Sequence, residues 1–114
     1  MVELTPGAIV ATLSNIAKLI EEKAGEVEVL DDKCVRARAI FKKAYAESFL
    51  NTIGSNEVRR YTAELATSQL LFEYEIAEQV LRASREALKV LRDRLEIGRS
   101  LSAIMRLEWT GRDG

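Results

Sequence analysis

The side chains whose type and spacing suggest a binding role in this sequence are arginines. Arg92, Arg99 and Arg106 recur every seven residues in the segment RDRLEIGRSLSAIMRLEW. Because seven residues make about two turns of an α-helix, the three side chains share one face of a predicted helix. Guanidinium groups pair with carboxylate or phosphate oxygens through forked N–H donors. The pattern therefore indicates a solvated surface, a set of intramolecular ion pairs, or a track for a phosphate backbone.

The distribution of charge argues against intramolecular ion pairs and leaves the solvated surface and the phosphate track as the two interpretations. The net charge of −1 conceals balances of −5, +5, −4 and +3 over residues 1–32, 33–60, 61–78 and 79–114. A reversal near Gly54 would pair most of these charges across two helices, but residues 90–106 would lie beside 3–19, where Glu3 is the only acid. Contacts to a polyanion are therefore predicted for six basic residues: Arg85, Lys89, Arg92, Arg94, Arg99 and Arg106.

The residue types that most catalytic sites need are scarce. The chain has no histidine and one cysteine. General bases of the usual kind, Cys/His nucleophile pairs and His/Cys metal-ligand sets cannot be assembled from this composition. We therefore expect no enzyme activity, no metal site and no cofactor. Cys34 is interpreted as a small core residue.

Three features predict a cytoplasmic protein. The sequence has no run of eighteen apolar residues, and its start, MVELTPG, lacks the basic and apolar regions of a signal peptide. A single thiol also cannot form an internal disulfide, which favours a reducing compartment. We expect neither membrane insertion nor secretion.

The first half of the chain predicts one long helix over about residues 6–53. Thr5 can cap it, and Pro6 occupies the first helical position, where a missing N–H is harmless. Apolar residues then recur in steps of four and three, which is typical of a coiled-coil seam. The predicted seam of helix 1 comprises Ile9, Leu13, Ile16, Ile20, Lys23, Val27, Leu30, Cys34, Ala37, Phe41 and Ala44.

A short turn and a second helix complete the predicted fold. Gly54 suits the left-handed position that closes a helix, and Ser55 or Asn56 can cap the next one. We predict a turn over about 54–56, a second helix over about 56–109 and a frayed tail over 110–114. The fold class is all-α, with residues 1–114 forming a single antiparallel helical hairpin.

The second helix carries more apolar surface than one neighbour can cover. Its first series runs through Leu70, Tyr74, Ala77, Leu81, Ser84, Leu88, Leu91, Leu95, Gly98, Ser102, Met105 and Trp109. A second series occupies neighbouring heptad positions, so together they span about half of the helix circumference. We therefore predict a homo-oligomeric bundle or ring, with an interface formed by Ile76, Val80, Ala83, Ala87, Val90, Ile97, Leu101, Ile104 and Trp109.

The aromatic residues lie mostly on or beside the apolar series, so we expect them to pack in the core rather than to stack on bases. Trp109 is the exception, because it ends the second helix near Arg106 and suits either an interface or a base. Phosphate contacts without stacking imply little sequence preference.

Three segments of the chain carry a resemblance to a known family. They are KKAYAESFL before a glycine-containing turn, the basic-aromatic RRYTAEL, and ALKVLRDRLEIGRSLSAIMRLE near the end. In this pattern, which covers roughly residues 35–110, the chain resembles the recombination mediators of tailed bacteriophages. The resemblance implies an all-helical ring that binds single-stranded DNA and a RecA-like recombinase in the host cytoplasm. The chain departs from the best-known member in its shorter connection between the helices and in the sequence EIGRSL.

Two functional hypotheses follow from these observations. The first is an oligomer that binds single-stranded nucleic acid through its arginines and assists homologous recombination. The second is a structural or adaptor coiled coil, such as a virion component or an inhibitor of a host protein, in which the arginines only keep the surface soluble. A helical antitoxin-like regulator is a more remote third.

Overall fold

The computed structural model describes residues 5–113, except for the side chains of residues 109, 112 and 113. It contains three helices, α1 (Pro6–Asn51), α2 (Asn56–Ala66) and α3 (Ser68–Asp113), and no strand within residues 5–113. The all-α prediction is confirmed. The helix ends differ from the predicted ones: α1 stops at Asn51 instead of 53, and α3 continues through residues 110–113, where a frayed tail was predicted.

Short-range hydrogen bonds fix the start of α1 and the turn that follows it. Thr5 Oγ1 accepts from the backbone N–H of Ala8 at 3.1 Å, as expected for a cap. Gly54 adopts a φ of 140°, a left-handed conformation that other residues rarely take. Ser55 then caps α2, because its side chain accepts from the backbone N–H of Val58 at 3.2 Å.

Arg59 closes the C-terminal end of α1. Its Nε donates to the carbonyl oxygens of Phe49 at 3.1 Å and Thr52 at 2.8 Å, and its guanidinium lies 5.1 Å from the centre of the Phe49 ring. These carbonyls have no partner within the helix, and a cation also complements the negative end of the helix dipole. One arginine therefore attaches α2 to the end of α1.

We expect the substitution Arg59→Ala to lower the free energy of unfolding by about 1–2 kcal/mol, because it leaves the final carbonyls of α1 without their charged donor. Arg60→Ala is the matched control. Arg60 pairs with Glu64 at 4.0 Å and lies 4.9 Å from the centre of the Tyr61 ring, both on an exposed surface, so its loss should cost less than about 1 kcal/mol. Equal effects of the two substitutions in urea denaturation would contradict the capping role.

The second helical segment is interrupted at Thr67, where the apolar periodicity predicted one continuous helix. Thr67 is buried and has a φ of −111°, and its Oγ1 donates to the Ala63 carbonyl at 2.7 Å. The Thr67 backbone N–H bonds to the same oxygen at 3.0 Å. A threonine hydroxyl that competes for a helix carbonyl bends helices. The pair Thr67-Ser68 was the sequence signal for this interruption.

The chain divides into two compact units. Unit 2 comprises residues 27–83, and unit 1 comprises residues 1–26 together with 84–114, of which 5–26 and 84–113 are described. In unit 2, an aromatic cluster joins α1 to α3: Phe41 and Tyr74 meet edge to face with ring centres 6.5 Å apart. Tyr45 stacks on Phe49 and is tilted against Phe41. The expectation that aromatic residues pack in the core holds for these four.

In unit 1, the first part of α1 packs against the last part of α3. Gly98 allows a close approach, since a Cβ at that position would collide with Leu13 Cδ2 and lie 3.6 Å from Leu13 Cγ. In the same region Ile9 adjoins Ser102 and Met105, so the two helix segments run in opposite directions. Gly98, a member of the predicted seam of the second helix, is therefore a point of close contact between α1 and α3.

The residues of both predicted seams are buried or half-buried in the structure, as far as their side chains are described. All eleven seam residues of α1 are buried or half-buried, including the half-buried Lys23, whose Nζ pairs with Glu26 at 2.9 Å. The first series of α3 is also buried or half-buried at every position up to Met105. Trp109, its last member, has a side chain outside the described residues. Cys34 is a buried free thiol, in accordance with its predicted core role.

Candidate nucleic-acid interface

Arg92, Arg99 and Arg106, which we call the arginine row, occupy one heptad position on α3. All three are exposed, and successive members lie about 10.5 Å apart along the helix axis. No ion pair involves their guanidinium groups among the described side chains. The row is therefore available to an anion outside this chain.

The other three predicted contact residues do not all join the arginine row. Arg85 is exposed at the same heptad position, and Lys89 is exposed about 60° around the helix from Arg92. Arg94 lies about 200° from Arg92, where it lines an apolar groove together with Ile97 and Leu101. Arg94 was predicted to contact the polyanion with the other five residues, but it does not share the face of the arginine row.

The ion pairs with described geometry lie within single helices rather than across them. They are Lys23–Glu26, Arg36–Asp32, Lys43–Glu47 and Arg60–Glu64, all three or four residues apart. The hydrogen bond from Tyr74 on α3 to Glu78 at 2.7 Å and burial raise the pKa of the phenol, and Arg38 on α1 opposes that rise.

The second apolar series of α3 remains largely exposed. We call its six large aliphatic members the apolar stripe, and their exposed fractions range from 45% to 61%. Ala83 is also exposed, and Ala87 is half-buried. Exposed aliphatic surface of this extent on one helix is typical of an interaction site. The apolar stripe consists of Ile76, Val80, Val90, Ile97, Leu101 and Ile104.

Unit 1 contains an open apolar groove on the side of α3 that bears the apolar stripe, and we call it the unit-1 groove. Its volume is about 640 Å³. Ile9, Leu13 and Ile16 of α1 form one wall, and α3 supplies the other through the stripe and its neighbours. The contribution of α1 was not predicted, because only the packing of two helices reveals which seam residues keep an open edge.

Exposed aromatic rings are found in unit 2. Tyr61 and Phe72 are 53% and 55% exposed, and the Arg60 guanidinium lies 4.9 Å from the centre of the Tyr61 ring. These two residues depart from the predicted core role. Neither belongs to the unit that contains the arginine row, so the structure places no described ring beside the row within unit 1.

Within the described part of the chain, no group of three or more metal-ligating side chains comes together. Among the same residues, no helix has the length and apolar character required to cross a membrane. No protein-family model, curated protein or solved structure matches the chain.

Proposed function

We propose that this is a homo-oligomeric, cytoplasmic helical protein that binds single-stranded nucleic acid through the arginine row. The observation that carries the proposal is the opposition of two surfaces on α3. The apolar stripe and the arginine row lie about 160–200° apart around the helix axis. Copies that associate through the stripe would present their arginines outwards together.

Assembly matters because one copy offers few phosphate contacts. Each released counterion contributes to affinity, so binding grows steeply with the number of cations on a continuous surface. Three arginines on one chain make a weak site, whereas several aligned rows make a strong one. The absence of a described ring beside the row favours contacts to phosphate over contacts to bases, and therefore little sequence preference.

The proposal extends to homologous recombination through the resemblance to phage recombination mediators. In that role the oligomer would hold single-stranded DNA and a recombinase together and help the recombinase to displace a single-strand-binding protein. The resemblance supports this assignment, and the arginine row supplies the DNA contact that such a role requires.

A fluorescence-anisotropy titration with a labelled single-stranded oligonucleotide at two salt concentrations, combined with light scattering, tests the proposal. We expect an oligomer whose affinity falls steeply with salt: each copy whose three arginines contact phosphates adds about −2 to the slope of log K against log salt. A protein that scatters as a monomer, or that gives no anisotropy change at low salt, contradicts the proposal. Assembly without oligonucleotide binding would favour a structural or adaptor coiled coil.

A further inference from the structure

The charged side chains of the unit-1 groove are arranged symmetrically about Leu101. Arg94, Leu101 and Glu108 occupy the same position of successive heptads, and all three line the groove. Arg94 and Glu108 are about 21 Å apart along α3, which is too far for them to pair within one chain. Neither has an ion pair among the described side chains.

We propose that the unit-1 groove is filled by the same segment of α3 from a second copy, packed antiparallel about a two-fold axis at Leu101. This inference rests on the self-association in the proposed function and specifies its surface. A two-fold axis makes each copy use the same patch. Arg94 of one copy then lies beside Glu108 of the other, and the pair forms twice.

The apolar contacts of this arrangement are self-complementary. Ile97, Leu101 and Ile104 are 61%, 51% and 54% exposed. In the dimer, these side chains of each copy enter the groove of the other and cover its wall of α1 residues. Two segments from each copy form a four-helix arrangement, which supplies the second neighbour that the wide apolar surface of α3 needs.

Charge identifies a second copy as the occupant rather than an unrelated helix. The groove has one cation at one end and one anion at the other, so an identical antiparallel segment satisfies both with no additional residue. The arginine row lies on the far side of α3 and stays exposed in this dimer. Pairing therefore leaves the proposed nucleic-acid contacts in place.

A charge-swap experiment tests the dimer, with its dissociation constant measured by sedimentation. Arg94→Glu or Glu108→Arg alone places like charges together at both ends, and we expect at least about tenfold weaker association for each. The double variant Arg94→Glu/Glu108→Arg restores opposite charges and should associate within about threefold of the unaltered protein. Both residues are exposed, and circular dichroism checks that each variant remains helical.

The outcomes separate this inference from the proposed function. A monomeric unaltered protein overturns both. An oligomer that tolerates the single reversals, or that the double variant does not restore, overturns only the Leu101-centred dimer.

Cross-linking provides a second readout that does not depend on affinity. In a Cys34→Ser background, Leu101→Cys should give a disulfide-linked dimer under mild oxidation, because position 101 meets its own copy at the axis. Leu65→Cys in the same background should stay unlinked, and equal linkage of the two would also overturn the Leu101-centred dimer.

Discussion

The variant Arg99→Glu/Arg106→Glu is expected to lose at least about 100-fold in affinity for a single-stranded oligonucleotide at low salt while it keeps its assembly state. Two of the three cations of the arginine row become anions, so two charge-assisted contacts to phosphate are replaced by repulsion. Both side chains are exposed and lie outside the described ion pairs. The fold should therefore tolerate the change.

A matched control separates this local effect from net charge. The variant Lys42→Glu/Lys43→Glu makes the same change in net charge on exposed residues of unit 2, and we expect its affinity to change by less than about fivefold, since neither residue belongs to the arginine row. Anisotropy titrations of both variants with one oligonucleotide give the comparison. If the two variants bind equally well, the arginine row is not the binding site.

Leu101→Glu is expected to dissociate the oligomer, with association weakened at least about 100-fold. Leu101 is 51% exposed in the single chain and lies on the proposed two-fold axis. The substitution would bury two carboxylates that face each other, and an uncompensated buried charge costs about 3–5 kcal/mol. Light scattering at micromolar concentration reads the result directly.

Leu65→Glu is the control for Leu101→Glu. Leu65 is 82% exposed on α2 and lies outside the apolar stripe, so the same exchange there should leave the assembly state unchanged. Dissociation by both substitutions would indicate general destabilisation, and dissociation by neither would remove the stripe as the interface.

DNA binding by the arginine row and assistance to a recombinase are separate proposals, and separate experiments test them. The row concerns phosphate contacts, and its test needs only an oligonucleotide. The resemblance concerns the protein partner, and its test is whether the protein lets a RecA-like recombinase displace a single-strand-binding protein from DNA. A protein that binds DNA without this effect would keep the first assignment and lose the second.

The sequence by itself determined that the chain is helical and which residues form the two seams. The steps of four and three predicted which side of α1 is covered, from Ile9 to Ala44, and the equivalent series on α3 as far as Met105. Thr5, Gly54 and Ser55 predicted the helix ends near them. These features follow from the sequence because helical periodicity and caps depend on residues within a few positions of one another.

Only the tertiary structure decided which polar residues support the fold and which face outwards. Arg59 resembled a surface cation in the sequence, but it bonds to carbonyls seven and ten residues away. Helix spacing alone put Arg94 on the side of α3 opposite the arginine row, but only the packing of α1 against α3 showed that it lines the unit-1 groove beside Leu101. Thr67 resembled a helical residue, but its hydroxyl competes for the Ala63 carbonyl. Each outcome depends on the three-dimensional position of particular atoms, which neither composition nor periodicity encodes.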